Sequence, residues 1–394
     1  MNVLALSSHP VEAAATRYRL VQYVAPLAMR GITLEMRPFL DSKLFASLYR
    51  RGELARTSLG LLRAGIRRLG DVFAARNVDV VFVQREAMIF GPPLIEWLAK
   101  RLGNCPLVLD LDDATYISYS SPTYGRLGKV LKWPGKTDRL IRWASVVTCG
   151  NRTIAEYVRS QGTDAVVIPT VVDTDRFRPA TRSNGTDPSV PVIGWIGTHS
   201  TYPYLESIFP ALQDLARWHR FLLKIIGSGR DQVRVPGVSV QTLDWSLERE
   251  VEDFQSFDIG LYPIVDDGWS AGKSGFKAIQ YMAVGIPHVV TPLGACAEIG
   301  ESGVTHFCAS SRDEWCGALS CLLQDGELRE RMGESGRQHA VCHYHLSVQV
   351  EILSTLLGQV ARKDRTTPSL RETEFLDSRS NCDSQLHQDA EVTP

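Results

Sequence analysis

The eight cysteines, at positions 105, 149, 296, 308, 316, 321, 342 and 382, form no CxxC pair and show no metal-ligand spacing. A zinc module is therefore not expected. Most of them lie in apolar runs, where a free thiol behaves as a small hydrophobe, so a reducing cytoplasm is the expected setting. No run of about 18 apolar residues appears, so no segment is expected to span a bilayer. The opening MNVLALSSHP turns polar too soon for a signal peptide and reads as a first strand. Net charge is −1, which gives nucleic acid no global attraction. Neither GxSxG, nor a Ser/His/Asp order, nor a strict phosphate-loop consensus is present.

What the chain does have is alternation. Its 394 residues are more than one core usually serves. Hydrophobic content of 44% and charged content of 22% are those of a soluble globular protein. Apolar β-branched runs alternate with helical stretches: NVLALS, ITLEMRPF, DVVFVQ, LVLDLD, SVVTC and AVVIP in the first half, VIGWIG, FLLKIIG, VSVQTL, DIGLYPI, HVVTP and VTHFC in the second. Near-continuous Val/Ile/Leu strands between helices predict parallel sheets covered on both faces. The expectation is an α/β chain of two Rossmann-like, doubly wound domains facing a cleft. The boundaries read as 1–178, a Pro/Ser/Gly-rich linker 179–190, 191–344, a helix 345–361 and a disordered polar tail 362–394.

The stretch Gly272–Pro287, GKSGFKAIQYMAVGIP, follows a buried strand and a polar loop. On a helix, Lys273, Lys277 and Gln280 share one stripe, and Phe276, Ile279 and Ala283 another. Gly272, Ser274 and Gly275 leave backbone N–H groups open at its start, where phosphate is attracted. An ordinary crossover helix with solvated lysines fits the same spacing. Two more strand ends carry glycine: GWIGTHS, with Gly197 and Thr198, and IIGSGR, with Gly227. Ligands in such sheets bind beyond the carboxyl ends of the strands.

In the first half, Arg17 and Arg19 sit where a loop becomes a helix and can clamp an acceptor's phosphate or carboxylate; surface positions are the alternative. Glu86, Asp112 and Asp113 each follow a buried strand and would form a carboxylate cluster able to orient hydroxyls, bind a metal or act as a base. Helix capping by Asp113 fits as well. Residues 42–71 interleave seven Lys and Arg with Leu and Phe. Two readings stand for them: a basic surface resting on anionic lipid, or a solvated helical pair covering the first sheet.

VIPTVVDTDRFRP (167–179), the GWIG strand, IIGSGR, SFDIGLYPI and GFKAIQYMAVGIPHVVTP occur in an order that resembles retaining GT-B glycosyltransferases of family four (glycosyl transferases group 1). The resemblance covers most of residues 1–360. It implies a sugar nucleotide held mainly by the second domain and an acceptor held mainly by the first. It also implies a last helix crossing back to the first domain. Departures accompany it. The family's paired glutamates, eight apart, fall on Gly272 and Gln280, and its Arg and Lys after the GWIG strand become Thr-His-Ser. The histidine common in the first domain falls on Asp112 or Asp113. A variant subset of the family is similar in combining QRE, DLDDA and GKxGFKxxQYMAxGxP.

The implied activity is transfer of a hexosyl unit from a nucleotide diphosphate sugar to a hydroxyl acceptor, whether glycan, lipid-linked or small molecule, with retention. Lys273, Lys277 and the N–H groups around Ser274 would stabilise the leaving diphosphate. Gly197 and Thr198 would lie under the phosphates, Gln280 on the ribose, and Trp245 to Leu247 beside the base. Asp112, Asp113 or Glu86 would position hydroxyls. Neither metal nor other cofactor is required if the lysines carry the charge. A non-catalytic nucleotide-sugar-binding or scaffold protein of the same fold is the alternative, and an enzyme acting on the sugar nucleotide alone is a third.

Overall fold

The computed structural model describes residues 1–48, 54–117, 133, 135–180, 190–268 and 270–362. Most of the 179–190 linker, part of the basic stretch (49–53), and the tail beyond 362 lie outside the described residues.

Two parallel six-stranded sheets organise the chain. The first takes β1 (Asn2–Ser7), β2 (Thr33–Pro38), β3 (Val80–Gln84), β4 (Leu107–Leu111), β5 (Val146–Cys149) and β6 (Ala165–Val167) in the order β2-β1-β3-β4-β5-β6. The second takes β7 (Val192–Ile196), β8 (Leu222–Ile226), β9 (Ser239–Leu243), β10 (Ile259–Tyr262), β11 (His288–Val290) and β12 (Phe307–Cys308) in the order β12-β11-β10-β7-β8-β9. Each strand falls in one of the apolar runs read above. The cause is burial on both faces: every residue of β3, β4, β5 and β7 is buried, so no polar alternation interrupts them.

Helices cover each sheet. In the first unit, Ile95, Ala99, Leu140, Ile154 and Val158 pack on Leu4, Leu6, Val81, Val83 and Leu109. In the second, Leu205, Leu212, Trp315 and Leu319 pack on Trp195, Leu223, Ile225 and Leu261. Local signals stop and start these helices. Asn151 Oδ1 accepts from the Ile154 amide at 2.9 Å, and Ser311 and Glu314 form a reciprocal capping box.

The units divide at Thr170/Val171 and at His345/Leu346. Residues 171–178, assigned to the first domain from the sequence, therefore belong with the second. Phe177 meets Phe254 edge-on, and Arg337 donates to the carbonyls of Phe177 (2.7 Å) and Thr174 (2.9 Å). The helix Leu346–Arg362 belongs to the first unit and packs on the helix Gln22–Ala28 and on β3.

The basic stretch forms the helices Ser42–Leu48 and Leu54–Ala74. One of its arginines points inward. Arg68 is almost fully buried and donates to the carbonyls of Ser7 (2.6 Å), Arg37 (2.7 Å) and Ala87 (2.9 Å), and to Asp71 (2.7 Å). Among the described residues no helix is long and apolar enough to cross a membrane.

Candidate functional site

In the second sheet, chain order runs outward from β7 in both directions, which makes the β7/β10 boundary the topological switch point. Connections leave there on opposite faces, so the carboxyl ends of β7 and β10 border a crevice suited to a ligand. Four loops meet at this end.

The β7 loop is a tight turn. Thr201 Oγ1 accepts from the Thr198 amide at 3.0 Å, and Thr198 Oγ1 lies 2.8 Å from Ser200 Oγ. Gly197 donates its amide to Ile226 O at 2.9 Å. The β8 loop turns on Gly227, whose φ is +75°. A Cβ there would come within 2.5 Å of Gly197 O and 3.1 Å of Trp245 Cβ. Only glycine allows the β7, β8 and β9 loops to pack this closely. Gly197, Gly227 and Trp245, chosen from sequence as donor contacts, are thus brought together. Leu247 is half-buried on the same β9 loop.

The β10 loop returns toward them. Tyr204, on the short helix that follows the β7 turn, donates its hydroxyl to Asp267 Oδ2 at 2.7 Å. Lys273 Nζ stands 5.5 Å from the centre of the Tyr204 ring. The helix then starts later than its sequence suggests. Ser270–Gly272 is a 3-10 turn, Gly275 adopts φ +65°, and the α-helix is Phe276–Ala283. Lys273 therefore precedes the helix, instead of sharing a stripe with Lys277 and Gln280, and Ser274 precedes it as well. The left-handed Gly275 sets that boundary: a Cβ there would meet Ile299 Cδ1 at 2.2 Å.

Within this helix Ala278–Ala283 are all buried, and Tyr281 donates to Leu261 O (3.1 Å) and Gly194 O (3.3 Å), pinning the helix to both central strands. Gln280 is buried, and its Nε2 has no hydrogen-bond partner among the described residues. Lys277 carries the clearest electrostatic signature. Burial pushes its ammonium down to about 8, the charge of Lys273 pushes the same way, and Glu250 opposes both. Two cations stand close enough to repel in partly desolvated surroundings, which favours the arrival of an anion. Glu250, buried on the helix Glu250–Gln255, was not legible as a site residue. It lies 27 positions from Lys277, and only the fold pairs them.

The first unit's carboxyl edge is built differently. Arg85, held at φ +60° just after β3, forks onto Asp112 with Nε–Oδ1 at 2.5 Å and Nη2–Oδ2 at 2.8 Å, and reaches Asp113 Oδ2 at 3.4 Å. Burial alone would raise the Asp112 carboxyl; Arg85, helped by Arg19, outweighs it and holds the group below its usual range. Glu86 pairs with Lys136 Nζ at 3.0 Å. The expected cluster of available carboxylates is therefore a set of ion pairs. Asp112 serves as an ionised, arginine-bound group and is no base near neutral pH. Sequence reasoning passed over Arg85 although it is the middle residue of QRE.

Arg19 cannot hold an acceptor. It is buried, its Nε donates to Asp110 Oδ2 at 3.1 Å, its Nη2 pairs with Asp110 Oδ1, and its Nη1 donates to Ile168 O at 2.5 Å. It fastens β4 to the residue that follows β6. Arg17, also buried, donates to the carbonyls of Glu12 (2.9 Å) and Val11 (3.3 Å) and so shapes the loop after β1. Among the described residues the one group with the reach to hold a metal is Asp173, Asp175 and His345. It includes none of the carboxylates chosen from sequence, and Asp173 Oδ1 already accepts from the Asp175 amide.

Two parallel Rossmann-like sheets in tandem define the GT-B fold, and solved structures agree. A glycosyltransferase from Rickettsia africae matches with TM-score 0.65 at 14% identity, over 92% of this chain and 99% of that one. Sucrose-phosphate synthase from Thermosynechococcus elongatus matches with TM-score 0.64 at 13% identity, over 91% and 99%. The Anabaena protein HepE, solved in complex with UDP-glucose, matches with TM-score 0.64 at 15% identity, over 91% and 100%. By sequence, residues 190–325 match the family model described as Glycosyl transferases group 1. That span carries all of the second sheet and the Lys273–Gln280 segment. Among curated proteins no sequence match is found.

Proposed function

We propose that this protein transfers a hexosyl unit from a nucleoside diphosphate sugar to a hydroxyl acceptor, with retention of configuration. The observation that carries the reading is the pair Lys273 and Lys277 at the β7/β10 switch point, one ammonium already depressed to about 8 by burial and by the other. A diphosphate between them relieves that repulsion. The match of residues 190–325 to the group 1 family, and the UDP-glucose held by the HepE structure, support the same ligand class.

In this reading the diphosphate rests on Lys273, Lys277 and the amides of Ser274, Gly275 and Phe276, above Gly197 and Thr198. The buried amide of Gln280 meets the ribose. Stabilising charge that builds on the leaving diphosphate contributes about 3 kcal/mol per well-placed donor. The lysines supply that charge, so no metal is required. The first unit presents the acceptor, with Arg85 fixing Asp112 and Asp113 toward its hydroxyls. The setting is cytoplasmic, in keeping with the seven free thiols among the described residues. Replacing Lys273 by Ala tests the site: donor turnover drops by orders of magnitude while the circular dichroism spectrum is kept. Wild-type turnover in that variant removes the assignment.

A second reading, a non-catalytic donor-binding protein, is favoured by Gly272, which has no side chain to face a donor sugar. Binding of nucleotide sugars without product across a broad acceptor panel decides for it.

A further inference from the structure

On the helix Leu54–Ala74, Leu59, Leu62, Ile66, Leu69 and Phe73 all point to solvent; Leu62, Ile66 and Phe73 are each about 60% exposed. Their spacing of three and four residues makes one continuous apolar stripe. The opposite face, with Ala64, Arg68 and Val72, packs inward. The helix Leu94–Gly103 packs directly beside it and also exposes apolar side chains, Leu94, Trp97 and Leu102. Cations border both stripes: Arg63 on the first helix, Arg76 just beyond it, and Arg101 on the second; Arg67 and Lys100 lie on the same helices but donate to the carbonyls of Pro38, Phe39 and Trp143. Each helix has one described carboxylate, and both are buried. Asp71 pairs with Arg68, and Glu96 accepts from the Ala87 amide. The outward faces therefore carry apolar and positive side chains with no negative one.

We propose that these two helices dock the first unit on an anionic lipid bilayer. Apolar side chains enter the boundary of the acyl chains, Trp97 sits at the headgroup level, and the arginines meet lipid phosphates. Charge complementarity selects this occupant over a second copy of the chain. A two-fold dimer would set the same cationic face against itself.

The test is flotation of the full chain with vesicles of phosphatidylcholine alone and of a 3:1 mixture with phosphatidylglycerol. Binding to the anionic vesicles is expected and should fall several-fold in 0.5 M salt. L62S/I66S should lower partitioning at least tenfold. R63Q/R101Q should lower it about fivefold per charge. All four residues are exposed, so thermal melting should be unchanged. Trp218→Ser, an exposed position in the second unit, should bind like the wild type. Equal binding to neutral vesicles, undiminished binding of either double variant, or an equal loss in Trp218→Ser overturns the proposal. So does a wild-type dimer that L62S/I66S converts to monomer without any vesicle binding.

Discussion

Titrating donor affinity against pH isolates the contribution of Lys277. In the free chain its ammonium sits near 8, because burial and Lys273 outweigh Glu250. A bound diphosphate places negative charge beside it and lifts it back toward the ordinary lysine range of about 10.4. Below pH 8 the group is protonated in both states, so affinity is flat. Above pH 8 the free chain has lost a proton that the complex must recover. The dissociation constant then rises about tenfold per pH unit, or about 1.4 kcal/mol, giving about a hundredfold between pH 8 and 10. Isothermal titration in buffers of differing ionisation heat reads the proton uptake directly. Lys277→Met should show weak binding with this slope absent, so that any titration of the ligand itself is left over. The linkage has a mirror image in stability. Between about 8 and 10.4 the unfolded chain holds a proton that the folded chain lacks, so stability of the free protein rises with pH. At pH 7 the charged, crowded Lys277 destabilises the fold. Lys277→Met should therefore raise the melting temperature at neutral pH, by an amount equivalent to about 1–2 kcal/mol for a half-buried group. A flat affinity from pH 7 to 10 in the wild type, or the same slope in the variant, would refute the reasoning.

Three other outcomes follow from the packing. His288 is fully buried, with neither ring nitrogen hydrogen-bonded among the described residues, and stacks on His306; burial pushes His288 well below its ordinary value and His306 to about 4. Between pH 6.5 and 4 the unfolded chain binds more protons, so stability should fall with falling pH by up to about 1.4 kcal/mol per unit per histidine; urea melts of His288→Phe should show about half the slope. Arg19→Met should destabilise the first unit by about 3–5 kcal/mol, because Asp110 is left buried without its ion-pair partner, keeping the Thr148 hydroxyl at 2.6 Å; a loss below about 1 kcal/mol in denaturant titration contradicts the clasp. Gly227→Ala forces a side chain into left-handed backbone against Gly197 O, costing about 1–2 kcal/mol from strain alone; nucleotide affinity should drop at least tenfold, and unaltered affinity would show that the β8 loop does not shape the pocket.

The central strands could be read because parallel sheets bury both their faces, as at β3, β4, β5 and β7, where apolar residues dominate. Helix starts were harder. Gly275 looks like a helix residue in GKSGFKAIQYM, yet its close approach to Ile299 selects φ +65° and delays the helix to Phe276. The domain boundary was placed eight residues late because DTDRFRP has the composition of a linker, whereas Phe177 and the carbonyls of Thr174 and Phe177 are held within the second unit. The lysines and glycines at the carboxyl ends of the second sheet could be picked out because they are neighbours in sequence or follow strands directly. Arg19 was misread because its partner is 91 residues away, in the very strand whose later aspartates drew attention. Arg85 and Glu250 were missed for the same cause: an electrostatic interaction made only in the fold leaves no local spacing.

The central claim is that the second unit receives a nucleoside diphosphate on Lys273 and Lys277. Its most direct test is a thermal-shift titration with UDP, GDP and ADP on the wild type and on K273A/K277M. One nucleotide should stabilise the wild type, by about 2.7 kcal/mol at a hundred times its dissociation constant, and should leave the double variant's melting temperature unmoved. Absence of a shift with all three nucleotides, or an equal shift in the double variant, would contradict it.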